Sequence, residues 1–185
     1  MPKLTRRQLL ELWWVLPVTA TLGTLGTMLH YAARIVLGNQ RAGPTKYQGG
    51  PRVPIARLAD LSGAFAAREF TYQGTPCIVM RLPEATPSSL KVESAHFAAW
   101  SRVCTHLGCS VNPLQDLEAT ALTYNYRPTH PVLGCPCHFS VFDPLRQGES
   151  VFGRAVLPLP RVQLEARAGT LYAVGIEPPP QAFVN

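Results

Sequence analysis

Two short stretches hold most of the residues that could do metal chemistry. The first is Cys104-Thr105-His106-Leu107-Gly108-Cys109 and the second is Cys135-Pro136-Cys137-His138-Phe139-Ser140. Four of the five cysteines and two of the five histidines lie there, two Cys and one His in each stretch. Thiolates and neutral imidazoles are donors that transition metals take readily. The repeated composition predicts two loops closing on one metal-type centre. Covalent c-type haem needs two Cys separated by two residues and followed by His. Cys135-Pro136-Cys137-His138 has one residue between its cysteines, so that chemistry fails. A Cys2His2 zinc site takes four ligands; six candidates are too many, and Cys-x-His is an unusual finger spacing. A four-cysteine iron–sulfur cluster on Cys104, Cys109, Cys135 and Cys137 leaves His106 and His138 without a role. A [2Fe–2S] cluster of mixed Cys and His ligation gives both residue types work.

The string C-T-H-L-G-C followed by C-P-C-H-x-S resembles the Rieske iron–sulfur proteins, specifically the disulfide-bearing type. The likeness is strong over residues 97–142 and looser for the rest of the chain. It implies one [2Fe–2S] cluster, with Cys104 and Cys135 on one iron and His106 and His138 on the other. It also implies a disulfide between Cys109 and Cys137. Replacing two thiolates by neutral imidazoles removes negative charge, which places such centres at roughly −150 to +300 mV against about −400 mV for plant-type ferredoxins. The outer imidazole nitrogens then couple electron to proton uptake, which suits a quinol donor. In high-potential members a Ser hydroxyl bonds a bridging sulfide and a Tyr hydroxyl bonds a cysteine sulfur. Ser140 matches the first position; Phe142 occupies the second and has no hydroxyl; Phe139 replaces the usual Gly. The expected potential is therefore low, in a range suited to menaquinol. Gly153 to Pro160, ending in Leu157-Pro158-Leu159-Pro160, resembles the proline-bearing loop that covers the cluster.

Positioning these loops requires strands. Val53–Ala56, Glu69–Tyr72, Cys77–Leu82 and His96–Val103 have short, β-prone, apolar patterns, with a hairpin turn at Gln73-Gly74-Thr75-Pro76. Leu122–Tyr126 reads as a further strand within the long segment between the loops, and His130 as a surface residue. Arg161–Glu165 and Thr170–Ile176 form a hairpin around Ala168-Gly169, and the Pro-rich tail from Glu177 reads as loose. Cys77 is expected to be a buried small hydrophobe. No long amphipathic helix is evident after residue 52. The fold class is mainly β: a Rieske-type antiparallel β-sandwich with a cluster-binding part at about 101–157, preceded by a single transmembrane helix.

That helix is read in residues 1–37. Lys3, Arg6 and Arg7 precede an uncharged stretch from Leu12 to Ala33, long enough to cross a hydrocarbon core. Trp13 and Trp14 stand at its start, where indoles favour the interface; Pro17 is expected to kink it. A cleaved signal peptide is disfavoured by the length of the apolar run. Thr5-Arg6-Arg7-Gln8-Leu9-Leu10 also resembles a twin-arginine export signal. Residues 38–51, rich in Gly and Pro, read as a flexible tether, and 52–185 as the Rieske domain. The basic N-terminus places that end on the cytoplasmic side of the bacterial cytoplasmic membrane and the domain on the extracytoplasmic side, where disulfides persist. The net charge of +6 is scattered, which argues against a nucleic-acid partner and leaves room for an acidic protein.

The resemblance implies an electron-transfer subunit. The first expectation is the Rieske subunit of a bc-type quinol–cytochrome c reductase, in lipid, beside cytochrome b-type and cytochrome c-type subunits, passing electrons from quinol to the c-type haem. The second is the small subunit of an arsenite-oxidase-like molybdoenzyme, since Cys135 to Asp143, Gly153-Arg154-Ala155 and Leu159-Pro160-Arg161 look like that group too. A Rieske oxygenase needs a further mononuclear iron domain, and too little chain follows Ser140.

Overall fold

The computed structural model describes residues 6–7, 13–33 and 46–179. They fall into two units, one within the first 39 residues and one from Gln40 onward. In the first, Trp13 and Trp14 form a turn that leads into helix α1 (Val15–Ala33). Leu16, Leu22, Leu25, Met28 and Leu29 are all exposed on it. The hydroxyls of Thr19, Thr21, Thr24 and Thr27 donate back to carbonyls three or four residues earlier, so they are satisfied within the helix. Pro17 lies in the first turn, where its missing N–H costs no intrahelical bond. The expected membrane span is not found as such: among the described residues, no helix is long and apolar enough to cross a membrane. Four Thr, two Gly and His30 dilute the apolar content of these 19 residues, and Leu12 lies outside the described part. So do most of the twin-arginine-like start and residues 34–45 of the anchor and tether.

The second unit is antiparallel β. Its larger sheet has the order β1 (Gln48–Arg57), β11 (Thr170–Ile176), β10 (Arg161–Arg167), β5 (Ala95–Ser101), β3 (Thr75–Leu82), β2 (Ala67–Tyr72), with β4 (Leu90–Val92) also on β5. The end strands β1 and β2 touch, so the sheet curls back on itself. Gln48 to Pro51, expected in the tether, belong to β1; Gln48 pairs with Ile176. Two-residue turns join β2 to β3 and β10 to β11. Gln73 and Gly74 (φ 48° and 77°), like Ala168 and Gly169 (48° and 75°), are left-handed, the geometry whose twist matches a hairpin. Pro76 is within β3 and pairs with Thr71.

A smaller sheet, β6 (Asn112–Leu114), β7 (Val132–Cys135), β8 (Ser140–Asp143), β9 (Glu149–Phe152), carries the second loop. Side chains alternate across β3 and β5. Cys77, Val79, Phe97 and Ala99 point into a core under β1, β10 and β11. Ile78, Met80, Ala98 and Trp100 point into a second core, shared with Leu133, Phe142, Cys104 and Cys135. Both strands are thus buried on two faces, each fully buried aliphatic side chain contributing about 1.5–3 kcal/mol, and this rigid pair backs the candidate site.

The strand expected at Leu122–Tyr126 is instead the end of helix α2 (Leu117–Tyr124). Asp116 caps it, its carboxylate accepting from the Ala119 N–H at 3.0 Å, and Asn125 ends it in the left-handed region. Good helix formers between two caps outweighed the alternating pattern at its end. The tail is not loose at Glu177: its carboxylate accepts from Arg161 Nε at 2.8 Å and Nη2 at 2.7 Å, both groups largely buried.

Candidate metal centre

The first loop follows β5 as a tight turn. The Cys104 N–H donates to the Cys109 carbonyl (2.8 Å) and the Gly108 N–H to the Cys104 carbonyl (2.9 Å). Gly108 has φ 79°, a conformation that L side chains rarely take. The second loop joins β7 to β8, whose ends Cys135 and Ser140 are paired. Phe139, in place of a Gly, sits at φ 55° and is held by an edge-on contact with Tyr124 of α2, ring centroids 5.9 Å apart. A third segment, 153–160, closes over both. Thr105 Oγ1 donates to the Leu157 carbonyl at 2.7 Å. Ser140 Oγ accepts from the N–H groups of Arg154 (3.1 Å) and Ala155 (2.9 Å). Gly153 has φ 90°, and a Cβ there would lie 2.4 Å from the Phe139 carbonyl oxygen.

The candidate residues come together. Cys109 and Cys137 form a disulfide, with Cα atoms 6.5 Å apart. The Cys135 sulfur is within 4.8 Å of both disulfide sulfurs, but bonded sulfurs are not thiolates, so those three do not make a site. What remains is two buried thiols, Cys104 and Cys135, and two half-buried imidazoles. His106 Nδ1 and His138 Nδ1 face each other at 3.3 Å, with the rings edge to face. Burial pushes the Cys104 thiol up to about 11, with the neighbouring Cys135 adding to it. Burial also lowers His106, helped by repulsion from His138 and Arg154; the neutral imidazole it favours is the metal-binding form. The disulfide removes two of the cysteines and with them a four-cysteine cluster, leaving two thiols and two converging imidazoles as a mixed donor set.

The Rieske [2Fe-2S] domain family matches residues 52–162. This chain belongs to that family. Its cofactor is accordingly a [2Fe–2S] cluster, and its role is that of a Rieske electron-transfer subunit. Among curated relatives, iodate reductase subunit IdrB of Denitromonas iodatirespirans is 31% identical over 69% of this chain and 63% of its own. The cytochrome bc1 complex Rieske iron-sulfur subunit of Corynebacterium glutamicum is 40% identical over 49% of this chain and 21% of its own. The chain thus covers less than two thirds of either relative. The soluble domain of Rieske protein II (soxF) from Sulfolobus acidocaldarius shares the fold, with a TM-score of 0.51, 26% identity, and coverage of 68% of this chain and 78% of that one.

In this Rieske domain the flanking residues are as ordered as the candidate ligands. Ser140 is fully buried, and both its acceptor lone pairs are taken by the Arg154 and Ala155 N–H groups. Its hydroxyl hydrogen is therefore free to donate elsewhere. Phe142 is fully buried in the same core as Cys104 and Cys135.

His130 is not the plain surface residue expected. Its Nε2 lies 2.8 Å from Asp143 Oδ1, and its ring stacks on Phe65. Asp143 also caps Leu145. This pair, the Thr105 bond and the Tyr124 contact were invisible in the sequence, because their partners are far apart along the chain.

Proposed function

We propose that this chain is the Rieske subunit of a bc-type quinol–cytochrome c reductase. Cys104 and Cys135 hold one iron, and His106 and His138 the other. The cluster supplies a one-electron centre. Cys109 and Cys137 clamp the two loops, and Ser140 directs its hydroxyl to the cluster sulfide. The outer imidazole nitrogens face outward and hold the proton that accompanies the electron. The observation that carries this is the pair of converging, half-buried imidazoles at the exposed end of a rigid β unit, backed by the likeness to bc1 Rieske subunits. A cavity of about 570 Å³ beside His106 and Leu107, with Val103, Pro160 and Ile176 in its wall, offers an apolar donor room there. Phe142 in place of a hydroxyl donor argues for a low potential and hence menaquinol.

The N-terminal stretch, of which helix α1 with its internally satisfied Thr hydroxyls and exposed Leu and Met side chains is the described part, serves as the anchor. It keeps the N-terminus on the cytoplasmic side, and the disulfide fits a domain on the oxidising side.

A second reading, a small Rieske subunit of an arsenite-oxidase-like molybdoenzyme, is favoured by the longer stretch of likeness to iodate reductase subunit IdrB. Purification from membranes in mild detergent separates the two. Co-purifying b- and c-type haem supports the first; a molybdenum-containing subunit sinks it in favour of the second.

A further inference from the structure

The three loops that make the site carry one cation and no acid among them. Segments 104–109, 135–140 and 153–160 contain a single formally charged residue, Arg154. Its backbone is fixed by Ser140 Oγ. Its side chain is exposed and close enough to His106 to act on that ring's charge. Seven other arginines of this unit each face a carboxylate, Arg81 and Arg167 being the exceptions among the described residues. Arg154 makes no ion pair among the described residues. Around it the surface is apolar: Leu107 is 70% exposed at the tip of the first loop and Phe139 48% exposed at the tip of the second. Large exposed apolar groups at a site of exchange mark a contact face.

We propose that this end docks an acidic redox protein, with Arg154 pairing to a carboxylate on the rim of that partner's electron-exchanging edge. The proposal rests on the relay role above and names the chemistry of the partner. A guanidinium fork matches a carboxylate in two parallel hydrogen bonds. Contact between the apolar tips excludes water, which strengthens the pair. A lipid surface fits less well, because one cation contributes only about 1 kcal/mol at an anionic membrane. The free cation also steers encounter, so its effect falls on the association rate and on its salt dependence.

The test uses the full-length, cluster-loaded protein in detergent, chemically reduced. It is mixed in a stopped-flow instrument with an acidic c-type cytochrome and, separately, with a basic one. With the acidic cytochrome, the rate constant of the unsubstituted protein should fall as salt rises. Arg154→Glu should lower it about tenfold at low salt, flatten the salt dependence and speed the basic cytochrome. Arg154→Lys should retain most of the rate. Lys91→Glu, an equal charge change at the exposed central position of β4, should leave the preference between cytochromes unchanged. Midpoint potentials and EPR spectra of each variant correct for driving force and report an intact site.

Identical rates and salt slopes in Arg154→Glu and the parent would overturn the docking proposal while leaving the relay role standing. Should ferricyanide oxidise the cluster while neither cytochrome does, the cytochrome-reducing role fails. Binding of the acidic cytochrome to the oxidised protein then decides the docking question: loss in Arg154→Glu supports it, and equal or no binding overturns it.

Discussion

Phe142 stands where the family resemblance leads one to expect a hydroxyl donor, and its position makes that departure testable. It is fully buried beside Cys104 and Cys135, so a hydroxyl added to its ring has little water to compete for it. Phe142→Tyr should raise the midpoint. One hydrogen bond of roughly 1 kcal/mol corresponds to about 40 mV in a one-electron couple, read by redox titration of the EPR signal; an unchanged or lower midpoint would remove the basis for a low-potential donor. Cys77 is the opposite case, a thiol with no task. It is fully buried, and burial pushes it up to about 12 from an ordinary 9.0. It should resist iodoacetamide at pH 8 in the folded protein and react in urea. A raised folded-state value favours folding below the unfolded value and loses that contribution as pH rises from about 9 to about 12. The urea midpoint should therefore fall more steeply across that window in the parent than in Cys77→Val. The apolar strand pattern around Cys77 made its burial legible in the sequence. No such pattern disclosed that Ser140 accepts two backbone N–H groups, because Arg154 and Ala155 follow it by 14 and 15 residues.

At the level of elements, three loops make the site and each depends on a residue with special backbone needs. Gly153 is the most constrained. Its φ of 90° and the 2.4 Å approach to the Phe139 carbonyl leave no room for a methyl group. Gly153→Ala should cost roughly 3 kcal/mol through strain and clash, lifting segment 153–160 off the second loop. Thermal denaturation and iron content per chain should both drop; full loading at unchanged Tm would contradict this geometry. The sequence showed both metal loops plainly, since metal donors are rare and their spacing is fixed. It hid α2, whose sequence Leu117–Tyr124 carries two caps at the ends and an alternating tail that mimics a strand. Capping is a local hydrogen-bond effect, and periodicity does not register it.

Considered whole, the chain is two units: an outward-facing helix of apolar and threonine side chains, and a β unit whose strands β3 and β5 are buried on both faces. The β unit's own cores account for its order without the helix. Deleting residues 1–39 should release the protein from the membrane fraction and leave the EPR spectrum and midpoint unchanged. A deletion variant that loses its cluster would show that the helix contributes to the fold. Six of the seven strands of the larger sheet were legible as short β-prone apolar runs; β4 and the smaller sheet, β6 to β9, were not. The curl that brings β1 to β2, and the Arg161–Glu177 pair that ties the tail, were not, because both join residues remote in sequence. Ser140 gives this architecture a consequence of its own. The hydroxyl serves the cover as acceptor, and under the proposed function it would also serve the cluster as donor. Its two bonds polarise each other, so strengthening one strengthens the other. Electron and cover would then form a thermodynamic cycle: added negative charge on the cluster would tighten the hold on segment 153–160, and by the same amount loosening that segment would lower the affinity for the electron. Variants that unsettle the cover should drift to lower potential even when they touch no ligand.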